Sequence, residues 1–144
     1  MKTDMDLTIL QERIKLPLFH VEYDIMVSNS MLKMKELLET VHPGITIKID
    51  ESFTGYTCLI SHPEHGSYLY VLINTAEYDE FPPMRRRIAH ECIHLSWEIM
   101  DTLGIEVSAN NNEIQAYIME ELVDKVTIMV DKFTKNDLDS LDKF

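Results

Sequence analysis

Two different hydrophobic periods run through this chain, and the switch between them limits the folds open to it. Phe19, Val21, Tyr23, Ile25 and Val27 fall on alternate positions, which is the period of a strand. Met31, Met34, Leu37, Leu38 and Val41 stand three and four apart, the stripe of a helix that His42-Pro43-Gly44 stops. Alternation returns at Ile45, Ile47 and Ile49 as a second strand. Residues 53–61 and 67–74 are β-rich runs flanking His62-Pro63-Glu64-His65-Gly66, a hairpin or a meander. Beyond Pro82 the period is helical: one helix from about 82 to 103, capped by Gly104, and another from about 111 to 133. Residues 1–18 are mixed, with a short helix over 7–14 that Pro17 would end. Strands grouped before two long helices predict an α+β fold, a mainly antiparallel sheet with the helices packed on one face. Residues 1–135 are expected as a single domain and 136–144 as an acidic, frayed tail.

Composition narrows the function. The 144 residues are 45% hydrophobic and 26% charged, enough apolar mass for one core and too much for a disordered chain. No run approaches the ~20 apolar residues of a membrane helix. Asp4 and Asp6 stand where a secretion signal would be basic and then apolar, so a cytoplasmic chain is expected. A net charge of −12 repels phosphate backbones, so nucleic acid is not expected as a partner, and without a long apolar run neither is a membrane. The two cysteines, Cys58 and Cys92, match no zinc-finger spacing and read as reduced, buried thiols.

One stretch carries chemistry: His90-Glu91-Cys92-Ile93-His94, or HExxH. Residues four apart on a helix share a face, so the two imidazoles can hold one metal ion, Zn2+ above all. Glu91 projects about 100° round the helix from His90 and reaches a water on the metal without ligating the ion. Zinc lowers the pKa of such a water, and the carboxylate takes its proton as it attacks a carbonyl. Met84, Ile88, Cys92, Leu95, Ile99 and Leu103 form the opposite, apolar arc of this helix, which leaves His90 and His94 near Trp97 and Asp101. A third protein ligand is needed, and no His follows His94. Glu113, near the start of the last helix, is the leading candidate, although Asn110-x-x-Glu113 also fits a helix cap. Asp101 is the alternative, as a ligand or as a group orienting a ligand His.

With His90-Glu91-x-x-His94 and a downstream Asn112-Glu113-x-x-Ala116, the chain resembles the zincin superfamily of metallopeptidases, and within it the gluzincin branch. The run from Ser67 to Tyr117 is also similar to small HExxH proteins of bacteriophage genomes. More distantly it resembles the metallopeptidase domain of phage and bacterial regulators that cleave repressors. The resemblance implies that His90, His94 and Glu113 are zinc ligands and Glu91 the general base. It implies that the strand containing Tyr68 and Tyr70 is an edge strand along which an extended peptide substrate pairs. Gluzincins usually supply a later His or Tyr to stabilise the oxyanion. Tyr117 is the nearest such candidate here, with Tyr68, Tyr70, His62 and His65 as substitutes.

Other features carry less. Arg85-Arg86-Arg87 either receives a substrate carboxylate or is a solvated face. Two functions follow: a zinc-dependent peptidase acting on a peptide or protein in a bacterial or phage-infected cell, or a non-catalytic zinc-bound protein that binds a host factor.

Overall fold

The computed structural model describes residues 9–141, with side chains up to residue 135. Its elements are β1 (Leu10–Leu16), β2 (Val21–Ser28), α1 (Met31–Val41), β3 (Gly55–His62), β4 (Gly66–Asn74), α2 (Met84–Thr102) and α3 (Asn112–Leu141). A 3-10 turn, Ala109–Asn111, leads into α3. The fold is α+β, as the grouping of periods predicts, but the sheet is mixed. Its strand order is β1-β2-β4-β3. β1/β2 and β3/β4 pair antiparallel, whereas β2 and β4, the two central strands, pair in parallel. The two long helices, α2 and α3, share one face of the sheet as expected, and the short α1 covers the other.

Each face has its own core. Tyr23, Ile25 and Val27 of β2 and Leu69, Val71 and Ile73 of β4 meet Ile88, Cys92, Leu95 and Ile99 of α2 and Ile118, Leu122 and Val126 of α3. On the other face Met26, Tyr70 and Leu72 meet Met31, Met34 and Leu38 of α1. β2 and β4 are thus buried on both sides, as central strands are. Burying two aliphatic faces of one sheet stabilises by roughly 25 cal/mol per Å² of apolar surface removed from water. Ser30 caps α1, its hydroxyl accepting from the Lys33 N–H, and His42 closes the helix.

Two expectations fail. Residues 10–16 form strand β1, not a helix, while Leu7 and Thr8 lie outside the described residues. Leu10 and Ile14 stand four apart, which imitates a helix, but as an edge strand β1 leaves Gln11, Glu12 and Arg13 exposed. The second failure is the strand expected at Ile45, Ile47 and Ile49. That segment is extended, and Ile47 and Ile49 are buried against α1's core, yet it joins no ladder. The Ile47 N–H is instead satisfied by the Glu39 carboxylate at 2.9 Å.

At the far end of α2 the stop signal at Gly104 works as read. Gly104 has φ +71, and Ile105 N donates to Met100 O while Gly104 N donates to Asp101 O. That is the Schellman pattern, for which glycine alone carries no side-chain penalty. α3 runs on to Leu141, into the segment that composition reads as a tail; residues 142–144 lie outside the described residues.

Candidate active site

α2 presents Arg86, His90, His94 and Glu98 at four-residue intervals, so they form one line along the helix, and all four border a single cavity of about 750 Å³. The opposite wall is the segment from Ser52 to Thr54 that leads into β3, together with the start of β3 through Thr57. α2 packs beneath β4 and β3, whereas α3 packs beneath β2 and β1. The cavity therefore opens on the β3 side of α2, away from α3.

The two imidazoles meet. His90 Nε2 and His94 Nε2 are 3.3 Å apart, with the rings edge to face. Two nitrogens each 2.0–2.1 Å from one tetrahedral ion would stand about 3.3–3.4 Å apart, so the pair has the spacing of two ligands of one zinc. Both residues are exposed to the cavity. Among the described residues no third His, Cys, Asp or Glu joins them. Glu98 stands one turn beyond His94, about 6 Å further along the axis, and its side chain is too short to reach a point between the two rings.

Glu91 is buried, and its surroundings are built by β3. Its Oε1 accepts from the Thr57 hydroxyl at 3.1 Å, and the same hydroxyl lies 3.2 Å from the Glu91 backbone oxygen. Gly55 covers the rest of the carboxyl. A Cβ at residue 55 would stand 2.5 Å from Glu91 Cγ and 2.8 Å from Oε2. Only glycine lets β3 approach this closely. Burial pushes the Glu91 carboxyl above its usual range, and the Thr57 hydrogen bond and the two histidines oppose that shift.

Among the described residues the outer edge of β3 pairs with no strand. Asn74 N donates to Thr54 O, which makes Thr54 and Asn74 a hydrogen-bonded pair across β3/β4. In an antiparallel ladder such pairs alternate, so Tyr56 and Cys58 face β4. Gly55 and Thr57 consequently turn their N–H and C=O groups outward, beside the histidine pair.

The sequence candidates are only partly brought together. His90, Glu91 and His94 share the cavity. Glu113 is exposed in the first turn of α3 and does not border it. Tyr117 is half-buried with its ring against Phe19, 6.1 Å between centroids, at the β1–β2 turn. Both are carried away because α3 lies on the β1/β2 side of α2. Asp101 is exposed further along α2, and Trp97 stands edge-on to His94 at 5.6 Å.

Tyr68 and Tyr70 need a larger correction. β4 is a central strand, and the exposed edge is β3. Tyr70 points to the α1 face, where its hydroxyl meets His42 Nε2 at 2.6 Å. Tyr68 packs against His42 and His62 on that same face. The whole sheet separates them from the cavity, and the same holds for His62.

The arginine run splits three ways. Arg85 is exposed, and Arg86 borders the cavity. Arg87 is buried: its Nε donates to Pro82 O and its Nη1 to Asn74 O and Ala76 O, which fixes the start of α2 to the end of β4. Sequence reasoning missed Gly55, Thr57 and Glu98. Glu98 had a readable signal, since it lies four residues after His94; Gly55 and Thr57 had none, because their role depends on the register of β3 against α2.

Comparison with protein-family models, with curated proteins and with solved structures finds no match to this chain. Among the described residues no helix is long and apolar enough to cross a membrane.

Proposed function

We propose that the chain is a zinc-dependent metallopeptidase that hydrolyses a peptide bond in a peptide or protein substrate in the cytoplasm. One observation carries the reading: a buried carboxylate, Glu91, sits beside two imidazoles whose nitrogens are spaced for one ion, in a cleft walled by a free strand edge. His90 and His94 would hold the zinc, and the remaining positions are left to water, substrate or a further ligand. Zinc bound there supplies Lewis acidity, polarising a carbonyl and making water more acidic. Glu91 accepts the proton of the attacking water and returns it to the leaving amine. Its burial raises its proton affinity, and the Thr57 hydrogen bond holds the carboxyl in one place. An extended substrate pairs with the outward N–H and C=O groups of Gly55 and Thr57, which aligns its carbonyl over the histidine pair. The strand that performs this alignment is β3, in place of the β4 strand of Tyr68 and Tyr70.

Wild type and Glu91→Gln, both with zinc content measured, are compared on a broad peptide library. Wild type cleaves and the variant does not, with equal zinc in both. A second reading has its own support, since the described residues bring two donors and not three to the ion, and Tyr117 is remote. If both proteins hold zinc and neither cleaves, the chain is a zinc-bound interaction protein for a host factor.

A further inference from the structure

At the C-terminal end of the same face of α2 lies a second recess, of about 410 Å³, bordered by Trp97, Glu98, Asp101, Ile105, Glu106 and Val107. Its lining combines apolar and acidic side chains. Trp97 and Val107 are large apolar side chains left exposed, by 43% and 47% respectively, and Ile105 is half-buried beside them. Three carboxylates, Glu98, Asp101 and Glu106, stand round them, and none has a cation within ion-pair distance among the described residues. An indole face and aliphatic walls fit a methylene chain, and the carboxylates fit a positive charge at its end.

The recess is continuous with the site. Glu98 borders both cavities, and Trp97 touches the ring of His94. At the other end of the cleft stands Arg86, also without an acidic partner among the described residues. The charged and polar groups along the helix face therefore run in order: a guanidinium, the two histidines, then carboxylates.

We propose that the recess receives a lysine or arginine side chain lying on the N-terminal side of the bond to be cleaved, so that the substrate is a basic peptide segment. The assignment rests on the peptidase reading above. Direction follows from the packing. Phe53 and Thr54 lie with Asn74, which Arg87 also holds, and Thr57 lies one turn later with Glu91, so β3 runs the same way as α2. A peptide added antiparallel to β3 then runs from the Glu98 end to the Arg86 end. The recess centres about seven residues of helix beyond the midpoint of the histidine pair, about 10 Å. That span is about three residues of extended chain. Arg86 repels a basic residue on the far side and favours an acidic one there.

The test measures binding apart from turnover. Zinc-loaded Glu91→Gln protein is titrated, by fluorescence anisotropy, against four matched labelled peptides with a central Leu-Leu bond. One has lysine three residues before that bond, one norleucine there, one glutamate there, and one has lysine three residues after it. The first peptide binds at least tenfold more tightly than the other three, and the preference shrinks as NaCl rises from 50 to 500 mM. In Glu98→Gln/Asp101→Asn/Glu106→Gln, which keeps side-chain shape, the lysine and norleucine peptides bind alike. Equal affinities for the four peptides, or no binding of the first, overturn the recess. Wild-type protein is then assayed for cleavage of the same peptides. Cleavage without charge preference keeps the peptidase and removes the basic recess; charge-selective binding without cleavage keeps the recess and removes the peptidase.

Discussion

Gly55 shows how one residue sets the chemistry of another thirty-six positions away. Its missing side chain is the space that the Glu91 carboxyl occupies. In Gly55→Ala the added methyl overlaps Cγ, Cδ and Oε2 of Glu91, so either the strand lifts or the carboxyl turns away. The variant should lose about 1–3 kcal/mol of stability, read from urea midpoints, and most of its turnover. Zinc affinity should change little, because His90 and His94 lie outside the overlap. Glu113→Ala and Tyr117→Phe give the complementary result. Both residues stand beyond the cleft, so neither change should alter zinc affinity measured by chelator competition. A drop of tenfold or more for Glu113→Ala would show that the first turn of α3 reaches the ion. At this scale the legible part of the site was its local part. Four-residue spacing on one helix places His90 beside His94 whatever the rest of the chain does. Glu113 and Tyr117 depend on which side of α2 the last helix packs, and nothing local to either residue records that.

Among elements, the central strand β4 and the edge strand β3 are the instructive ones. Residues 68–73 form an unbroken apolar run, the mark of a strand buried on both faces, and residues 54–57 mix Thr, Gly and Tyr as a half-exposed edge does. The composition of each run was thus consistent with its place, but strand order is a long-range property. The alternation at Ile45, Ile47 and Ile49 was a true record of burial, yet it could not show that the segment has no partner strand. α1 is seated by a polar chain that no pattern revealed. Its closing residue His42 is buried, with Nδ1 2.7 Å from His62 Nε2 and Nε2 2.6 Å from the Tyr70 hydroxyl. Tyr68 packs on the ring, and Asp24, held by Arg13, lies nearby on β2. Burial and the neighbouring His62 lower the His42 pKa, and Asp24 opposes them. The unfolded chain therefore takes up the proton first as pH falls. Stability from this group is complete above about pH 6.5 and is lost as pH drops from there through the folded-state value. Urea midpoints between pH 8 and 5 should fall more steeply for wild type than for His42→Gln. Parallel curves for the two proteins would remove His42 from the account.

For the molecule as a whole, the question is whether the metal holds the fold or only uses it. The two cores on either side of the sheet consist of aliphatic, methionine, cysteine and aromatic side chains, and both histidines of the pair lie outside them on one face of one helix. The start of α2 is fixed independently by Arg87, and its end by the Gly104 turn. Nothing in that arrangement needs an ion to close a loop or join two elements, in contrast to small domains that unfold when zinc is removed. Chelation should therefore leave the far-UV circular dichroism spectrum unchanged. Zinc should still stabilise by mass action, because it binds the folded pair and not the separated histidines of the unfolded chain. At a free concentration one hundred times its dissociation constant the gain is about 2.7 kcal/mol. For a domain of this size that corresponds to a rise in Tm of about 5–11 °C. His90→Ala removes one of the two imidazoles and should abolish the rise, while Glu91→Gln, which leaves both, should keep it. Loss of helical signal on chelation would make the ion structural, and an equal rise in His90→Ala would place the zinc somewhere other than this cleft.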